Sequence, residues 1–345
     1  MLLKEITDLR GPSGWEDAVR EAIRREAEEA LKGREGRVYA DTMGNLYAHR
    51  KGTDATKKHV MLCAHMDEVG FIIRYATEDG LLRFSSVGGI DPRALVSKRV
   101  LVGKDAVPGV IGCKAVHLMT REEEEQPPTY ETLSIDIGAT SKEDAERLCP
   151  KGCYATFDSA YREFGDGFVK AKALDDRVGC MIVLDALRES DYAGDLTCVF
   201  TVQEEVGLRG ATVAGRRVSP DVAIIVEGTV ANDMGKVKPH LRSTECGKGA
   251  AISVMDKRMI ADKTLRTMAM DAAKKRGIPA QLRKLPIGGT DAGAIHLSGE
   301  GVPCLVLAVP CRYIHSPASV AKLSDIEAVK RLTMAMLEEM QEEAL

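Results

Sequence analysis

Four apolar, strand-like runs in the chain stop at residues of metal-binding type: 60–64 before His65, Met66 and Asp67; 196–202 before Gln203, Glu204 and Glu205; 222–226 before Glu227; and 302–309 on the way to His315. In an open parallel sheet the carboxyl ends of the strands face the ligand crevice, so these polar residues are expected to converge on one side of one sheet. A fifth element has the same form. The strand-like 168–171 leads into Leu174, Asp175, Asp176 and Arg177, where a helical stretch opens and runs to about Arg188. Such a convergence predicts an active site.

Elsewhere the pattern changes twice. Near the amino end Ser13, Gly14, Trp15 and Glu16 have the Ser-x-x-Glu form of a capping box, which predicts a charged, amphipathic surface helix over 16–31 with Trp15 packing on it. Residues 38–41 and 45–48 read as a hairpin around Thr42, Met43 and Gly44. From about 69 to 166 the chain becomes a series of short β-rich runs broken by Gly and Pro, without the helices of a doubly wound sheet. The acidic, Pro-containing stretch 121–128 within it reads as a loop.

Beyond that block strand and helix alternate again: helix 176–188, strands 196–202 and 222–226, helix 263–276, strand 302–309 and helix 324–342. In the last helix Ile326, Val329, Leu332, Met336, Leu337 and Met340 recur at helical spacing, a face suited to covering a sheet. The expected fold class is α/β, with a mixed, largely parallel sheet flanked by helices and a β-barrel-like insertion. The expected domains are 1–68 with 167–345, discontinuous and carrying the site, and 69–166 as the β-rich insertion.

With 345 residues the chain can bury two cores. Its net charge of −4 offers no basic footprint for a phosphate backbone, which argues against nucleic acid as a partner. The nine Cys are an odd number, and Cys63, Cys198 and Cys304 lie inside apolar runs, where a reduced thiol behaves as a small hydrophobe. Cys149 and Cys153 form one pair without a second, so a structural zinc is not expected there. The amino end lacks the features of a signal peptide and no apolar run approaches the ~20 residues needed to cross a bilayer, so no membrane partner and a reducing cytoplasm are expected.

Two His and several Asp and Glu in one crevice are oxygen and imidazole ligands, which suit zinc, cobalt or manganese and point to hydrolysis. Ligand arithmetic favours a pair of ions, with one carboxylate bridging and each ion taking one His and one further carboxylate. Three carboxylates and a bridging hydroxide then balance two divalent charges. Adjacent residues at a strand end point in different directions, which would let Glu205 bind metal while Glu204 faces an attacking water. Paired carboxylates could also serve a glycan hydrolase, but 4% aromatic residues and one Trp leave few surfaces for stacking sugar rings. A non-enzymatic, metal-stabilised protein is the weaker alternative, because structural zinc sites are closed and keep no poised carboxylate.

The segments 64–71, 173–179, 202–211, 288–293 and His315-Ser316, with Gly11-Pro12-Ser13-Gly14 and 41–45, closely resemble the tetrahedral aminopeptidases, metallopeptidase family 42. Nearly the whole chain is covered. The resemblance implies a zinc-peptidase-like fold and two divalent ions per chain, zinc or cobalt with manganese possible. It makes Asp175 the bridging ligand, gives one ion Glu205 and His315, and gives the other His65 and Glu227. Asp67 would orient the His65 imidazole, Glu204 would be the general base, and the peptide after Asp175 would be cis. One departure stands out: family members often carry Asp at the position of Glu227. The resemblance also implies short peptides as substrates, dimerisation through the insertion, and a homododecamer built from six dimers. The glycine-rich 288–293 loop would border the substrate site, while His49, His59, His117, His240 and His296 lie outside the ligand motifs.

Overall fold

The structure, a computed structural model, describes residues 2–342. An 11-stranded mixed sheet forms the larger unit. At its centre Leu196–Thr201, Val60–His65, Val222–Val230 and Cys304–Arg312 run parallel. Antiparallel strands extend it on both margins, Leu46–Arg50 and Gly36–Ala40 on one side and Ser319–Lys322, Phe168–Ala171 and Arg162–Phe164 on the other. A branch, Ala250–Ser253 with Ala280–Arg283, hangs on Cys304–Arg312.

Every residue of Val60–His65 and of Leu196–Thr201 is buried, as strands covered on both faces must be. The cover comes from two helix groups. Leu174–Glu189 packs on the central strands and touches Asp17–Ala30 and Leu323–Glu342, while Arg209–Val218 pairs with the short Ala292–Ile295. The expected face of the last helix is buried in full, from Ile326 to Met340.

A closed six-stranded barrel makes the second unit, in the order Gly70–Ala76, Leu82–Val87, Leu133–Asp136, Val107–Cys113, Arg99–Val102 and Tyr154–Phe157. Its separate core is built on Phe71, whose ring meets Phe84 and Phe157 edge-on at 5.1 and 5.2 Å. The fold is therefore the expected α/β class with a barrel between its sheet strands.

Some local expectations need correction. The Ser13 hydroxyl caps no helix: it donates to Asp67 Oδ2 at 2.6 Å, and Asp17–Ala30 starts without a side-chain cap. A buried carboxylate is a stronger acceptor for that hydroxyl than a helix end is a donor to it. Trp15 leaves the helix too, stacking on Tyr154 of the barrel at 5.8 Å under the Arg10 guanidinium. The β-rich block contains a helix after all, Lys142–Leu148, capped by Ser141. The stretch read as a loop holds a one-turn helix, Arg121–Glu124, fixed by reciprocal bonds between Thr120 and Glu123. All nine cysteines are free, and no helix among the described residues is long and apolar enough to cross a membrane.

Candidate metal centre and active site

The central strands part where the chemistry begins. Val222–Val230 pairs with Val60–His65 only as far as Ile225 opposite Cys63, so the next residues diverge and leave a gap lined by His65 and Glu227. Glu227 is inside its strand rather than beyond it, because that strand stays paired with Cys304–Arg312 up to Val230. Asp175 approaches from the Leu174–Glu189 segment, whose first turn is non-helical at Asp175 and Asp176 and contains the cis peptide between them. Gly228 admits it: a Cβ there would stand 3.1 Å from Asp175 Cα and Cβ.

Five expected ligands converge as two trios that share Asp175, His65–Asp175–Glu227 and Asp175–Glu205–His315, each with its ligand atoms within 4.8 Å of one another. His65 Nε2 lies 3.2 Å from Asp175 Oδ1 and 3.1 Å from Glu227 Oε1. His315 Nε2 lies 3.4 Å from Asp175 Oδ2 and 3.2 Å from Glu205 Oε1. The last contact lacks hydrogen-bond geometry, which leaves Glu205 Oε1 buried without a donor.

Both imidazoles are oriented from behind. His65 Nδ1 faces the Asp67 carbonyl at 3.1 Å and His315 Nδ1 faces the Gly89 carbonyl at 2.8 Å. A carbonyl can only accept, so each Nδ1 carries a proton, and each Nε2 is the ring nitrogen turned toward the carboxylates. The donor set, the shared carboxylate and the orphaned oxygen fit a pair of divalent cations.

Asp67 faces the His65 imidazole and also holds the neighbouring turn. Its Oδ1 is 3.4 Å from His65 Nδ1, but the carboxylate mainly accepts from the Ser13 hydroxyl, the Glu204 N–H at 3.0 Å and the Glu205 N–H at 3.2 Å. It thereby ties the His65 strand end to the turn that carries both glutamates. That turn passes through Gln203 in the left-handed region, φ 56°, after Leu196–Thr201 ends. The two glutamates then diverge: Glu205 meets His315, while Glu204 Oε2 stands 4.0 Å from His65 Nε2.

So many carboxylates in one dry place perturb each other. Burial, partly opposed by His65, raises the Glu204 carboxyl well above the ordinary range, and neighbouring Glu227, Asp291 and Glu205 add to it. Burial likewise pushes Glu227 up to about 8 despite His65. Burial works against the charged form of Asp175, yet His315 and His65 hold its carboxyl well below the usual value. The His315 imidazole is raised to about 11, burial being outweighed by Glu205 and Asp175.

Three participants carry no signal that a reading of the strand ends would catch. Asp176 Oδ2 accepts the His65 N–H at 3.2 Å, and its Oδ1 accepts from Gly179. Asp291, in the glycine-rich loop, is buried beneath the cluster, taking the Thr201 hydroxyl on Oδ2 with Oδ1 unpaired. Glu68 is buried against Lys172 at 2.7 Å beside Arg177. The cluster opens into a cavity of about 400 Å³ whose lining also includes Thr290, Gly288, Arg258 and Arg283. By contrast His49 and His59 both engage the Thr197 hydroxyl.

A parallel-centred sheet with acid and imidazole groups gathered at its carboxyl edge, beside an open cavity, defines a hydrolase of the α/β peptidase class. The family model for M42 glutamyl aminopeptidase matches residues 44–332, and the chain belongs to that family. It is 35% identical over 349 residues to lysyl aminopeptidase of Pyrococcus furiosus, covering 98% of this chain and 96% of the relative. Among solved structures it resembles aminopeptidase APDkam598 from the archaeon Desulfurococcus kamchatkensis, with TM-score 0.92, 36% identity, and 98% and 93% of the two chains covered. It is also similar to the TET1 peptidase of Pyrococcus horikoshii, described as assembling into a tetrahedron or a large octahedral shell, with TM-score 0.83, 33% identity, and 96% and 97% covered.

Proposed function

We propose that this protein is a metal-dependent aminopeptidase that releases the N-terminal residue of short peptides. The observation that carries the reading is the pair of ligand trios meeting at Asp175, with Glu205 Oε1 lacking any donor. His65, Asp175 and Glu227 would hold one divalent cation, and Asp175, Glu205 and His315 the other, zinc or cobalt being favoured and manganese suited to the same donors. When bound, such ions polarise the scissile carbonyl and lower the pKa of the attacking water.

The remaining work falls to the chain's own groups. Glu204, within reach of the same cavity and held near His65, takes the proton of the attacking water and delivers it to the departing amine. Asp67 fixes the Glu204–Glu205 turn against the His65 strand. The lengths 1–68 and 167–345 form the catalytic unit, with 69–166 as a dimerisation unit. Dimers assemble further into a dodecamer, a reading supported by the assembly described for the Pyrococcus horikoshii relative. Nine free thiols agree with work in a reducing cytoplasm.

The test is a set of amino-acid p-nitroanilides and short peptides, assayed after chelation and after return of zinc, cobalt or manganese. Free and N-acetylated peptides should differ, with release of one residue at a time from the free form only. Cleavage of a cellulose substrate without cleavage of any anilide would move the assignment to a glycan hydrolase. Metal-dependent melting with neither activity would leave a metal-stabilised binding protein.

A further inference from the structure

Cys149 and Cys153 are the cysteines nearest to each other along the chain, and neither belongs to a ligand trio of the metal centre. The fold brings them together at the edge of the barrel core. Cys149 closes the helix Lys142–Leu148, its N–H on the Ala145 carbonyl at 2.8 Å, and Pro150 prevents the helix from continuing. A tight turn then reverses the chain. The Cys153 N–H donates to the Pro150 carbonyl at 3.1 Å, and Gly152, at φ 88°, takes the left-handed value that the third position of such a turn needs. The turn is pinned to the barrel strand Gly70–Ala76, where the Gly152 N–H donates to the Ile73 carbonyl at 2.8 Å and the Ile73 N–H to the Cys153 carbonyl at 2.9 Å. Cys153 is thereby folded back on Cys149, whose thiol donates to the Cys153 sulfur.

The two sulfurs are unequal. Cys149 is 1% exposed, whereas Cys153 is half-buried and follows the exposed Lys151 and Gly152. Their mutual bond, then burial, raises the Cys149 thiol, and the same bond lowers Cys153 against the effect of burial. The negative end of a helix also disfavours a thiolate at Cys149. An accessible sulfur with thiolate character beside a second thiol is the arrangement that reacts at one sulfur and closes on the other. Other thiols are engaged elsewhere: Cys63 faces Asp291, and Cys180, Cys198 and Cys246 face the carbonyls of His65, Val183 and Pro310.

We propose that Cys149 and Cys153 form a reversible modification site, a dithiol that hydrogen peroxide converts to an intramolecular disulfide. The Cys153 thiolate attacks one peroxide oxygen, the O–O bond breaks, and the departing hydroxide recombines with the proton the thiol had lost to give water. The Cys149 sulfur then attacks the Cys153 sulfenic acid. An S–S bond forms as the S–O bond breaks, and the Cys149 proton leaves with the hydroxide as a second water. Two thiols are oxidised to one disulfide and one peroxide is reduced to two waters. A small dithiol reverses the change by exchange, becoming a disulfide itself. The proposal is independent of the peptidase reading.

The test treats the full-length protein, freed of reductant, with hydrogen peroxide, followed by N-ethylmaleimide in denaturant and trypsin without reduction. Cleavage after Arg147, Lys151 and Arg162 puts the two cysteines on separate peptides, 148–151 and 152–162, so closure appears as one joined species. That species is expected at peroxide concentrations roughly tenfold below those that block half of the exposed Cys113, with loss of two of the nine alkylated thiols. Dithiothreitol should restore both. Cys149→Ser should leave Cys153 as a sulfenic acid that dimedone traps. Cys153→Ser should leave Cys149 fully alkylated, and it carries the test where the variant at the buried position folds poorly. The proposal is overturned if the two peptides stay separate while Cys113 is oxidised, if Cys153 pairs with a different cysteine, or if Cys153→Ser leaves the oxidation of Cys149 unchanged.

Discussion

Glu227 Oε1 and His65 Nε2 face each other at 3.1 Å, each two residues past the last paired position, Ile225 opposite Cys63, of two adjoining parallel strands. The strands are held together by their ladder below and are free to separate above, so the gap is as wide as one side chain from each lip can span. Glutamate reaches further into it than aspartate by one methylene. Glu227→Ala should leave one tightly held ion per chain in place of the two proposed for the native protein, as measured by elemental analysis after gel filtration. Turnover should fall by about 10²-fold or more, given what a positioned ion contributes to such hydrolysis. Glu227→Asp should keep both ions with a changed zinc-to-cobalt preference. Two ions retained in the alanine variant would remove Glu227 from the ligand set.

Glu204 is separable from ligation. Its Oε2 is 4.0 Å from His65 Nε2, and it belongs to neither ligand trio. Glu204→Gln should therefore lower kcat by roughly 10²–10⁴-fold while ion content stays that of the native protein. Loss of metal together with activity would show that the side chain ligates.

Asp67 offers a sharper structural test because its carboxylate accepts three bonds, from Ser13 and from the Glu204 and Glu205 amides. An amide has only one oxygen, and its NH₂ would point at a backbone donor. Asp67→Asn should cost about 1–3 kcal/mol in denaturant melts, the usual penalty for a buried donor left unpaired. Metal affinity should weaken roughly 10–100-fold, the range for groups that orient ligands. Ser13→Ala removes one of the three bonds and should show a smaller effect in the same direction. Equal stability and affinity in Asp67→Asn would mean that the turn is held by other contacts.

The parts of this site that are legible in the sequence share a feature: each is a polar residue ending or interrupting an apolar run, as with His65, Glu205 and Glu227. The burial that makes the run apolar is the same burial that makes an acid there exceptional. The orienting group of His315 cannot be seen this way, because the Gly89 carbonyl is a backbone atom 226 positions distant and has no side-chain signature. Ser13 departs from its capping pattern for a related reason. A capping box is a local pattern, and the competing acceptor, Asp67, is brought in by the tertiary fold. Arg283 carries no sequence signal at all, since Ala280–Arg283 is a short edge strand of mixed burial with no apolar run to frame it.

Glu16 supplies a pH test that is independent of turnover. Its side chain is buried, with Oε1 accepting the Gly14 N–H at 2.7 Å and the Gln203 N–H at 3.2 Å. Burial raises its carboxyl from 4.5 to about 7, with the two backbone bonds opposing and the Asp67 charge adding. A carboxyl whose folded pKa exceeds its unfolded pKa binds protons more tightly when folded, so its contribution to stability is complete at low pH and is lost as pH rises through the folded value. Glu16→Gln keeps the accepting oxygen and removes the titration. In chelated protein the stability of Glu16→Gln relative to native should be flat below about pH 4.5, rise between there and about pH 7, and level off above it. At about 1.4 kcal/mol for each pH unit separating the folded and unfolded values, the full rise should be of order 3 kcal/mol. Urea melts at intervals across that window measure it, and a difference that stays constant or declines with pH would show that the Glu16 carboxyl titrates as an ordinary solvated acid.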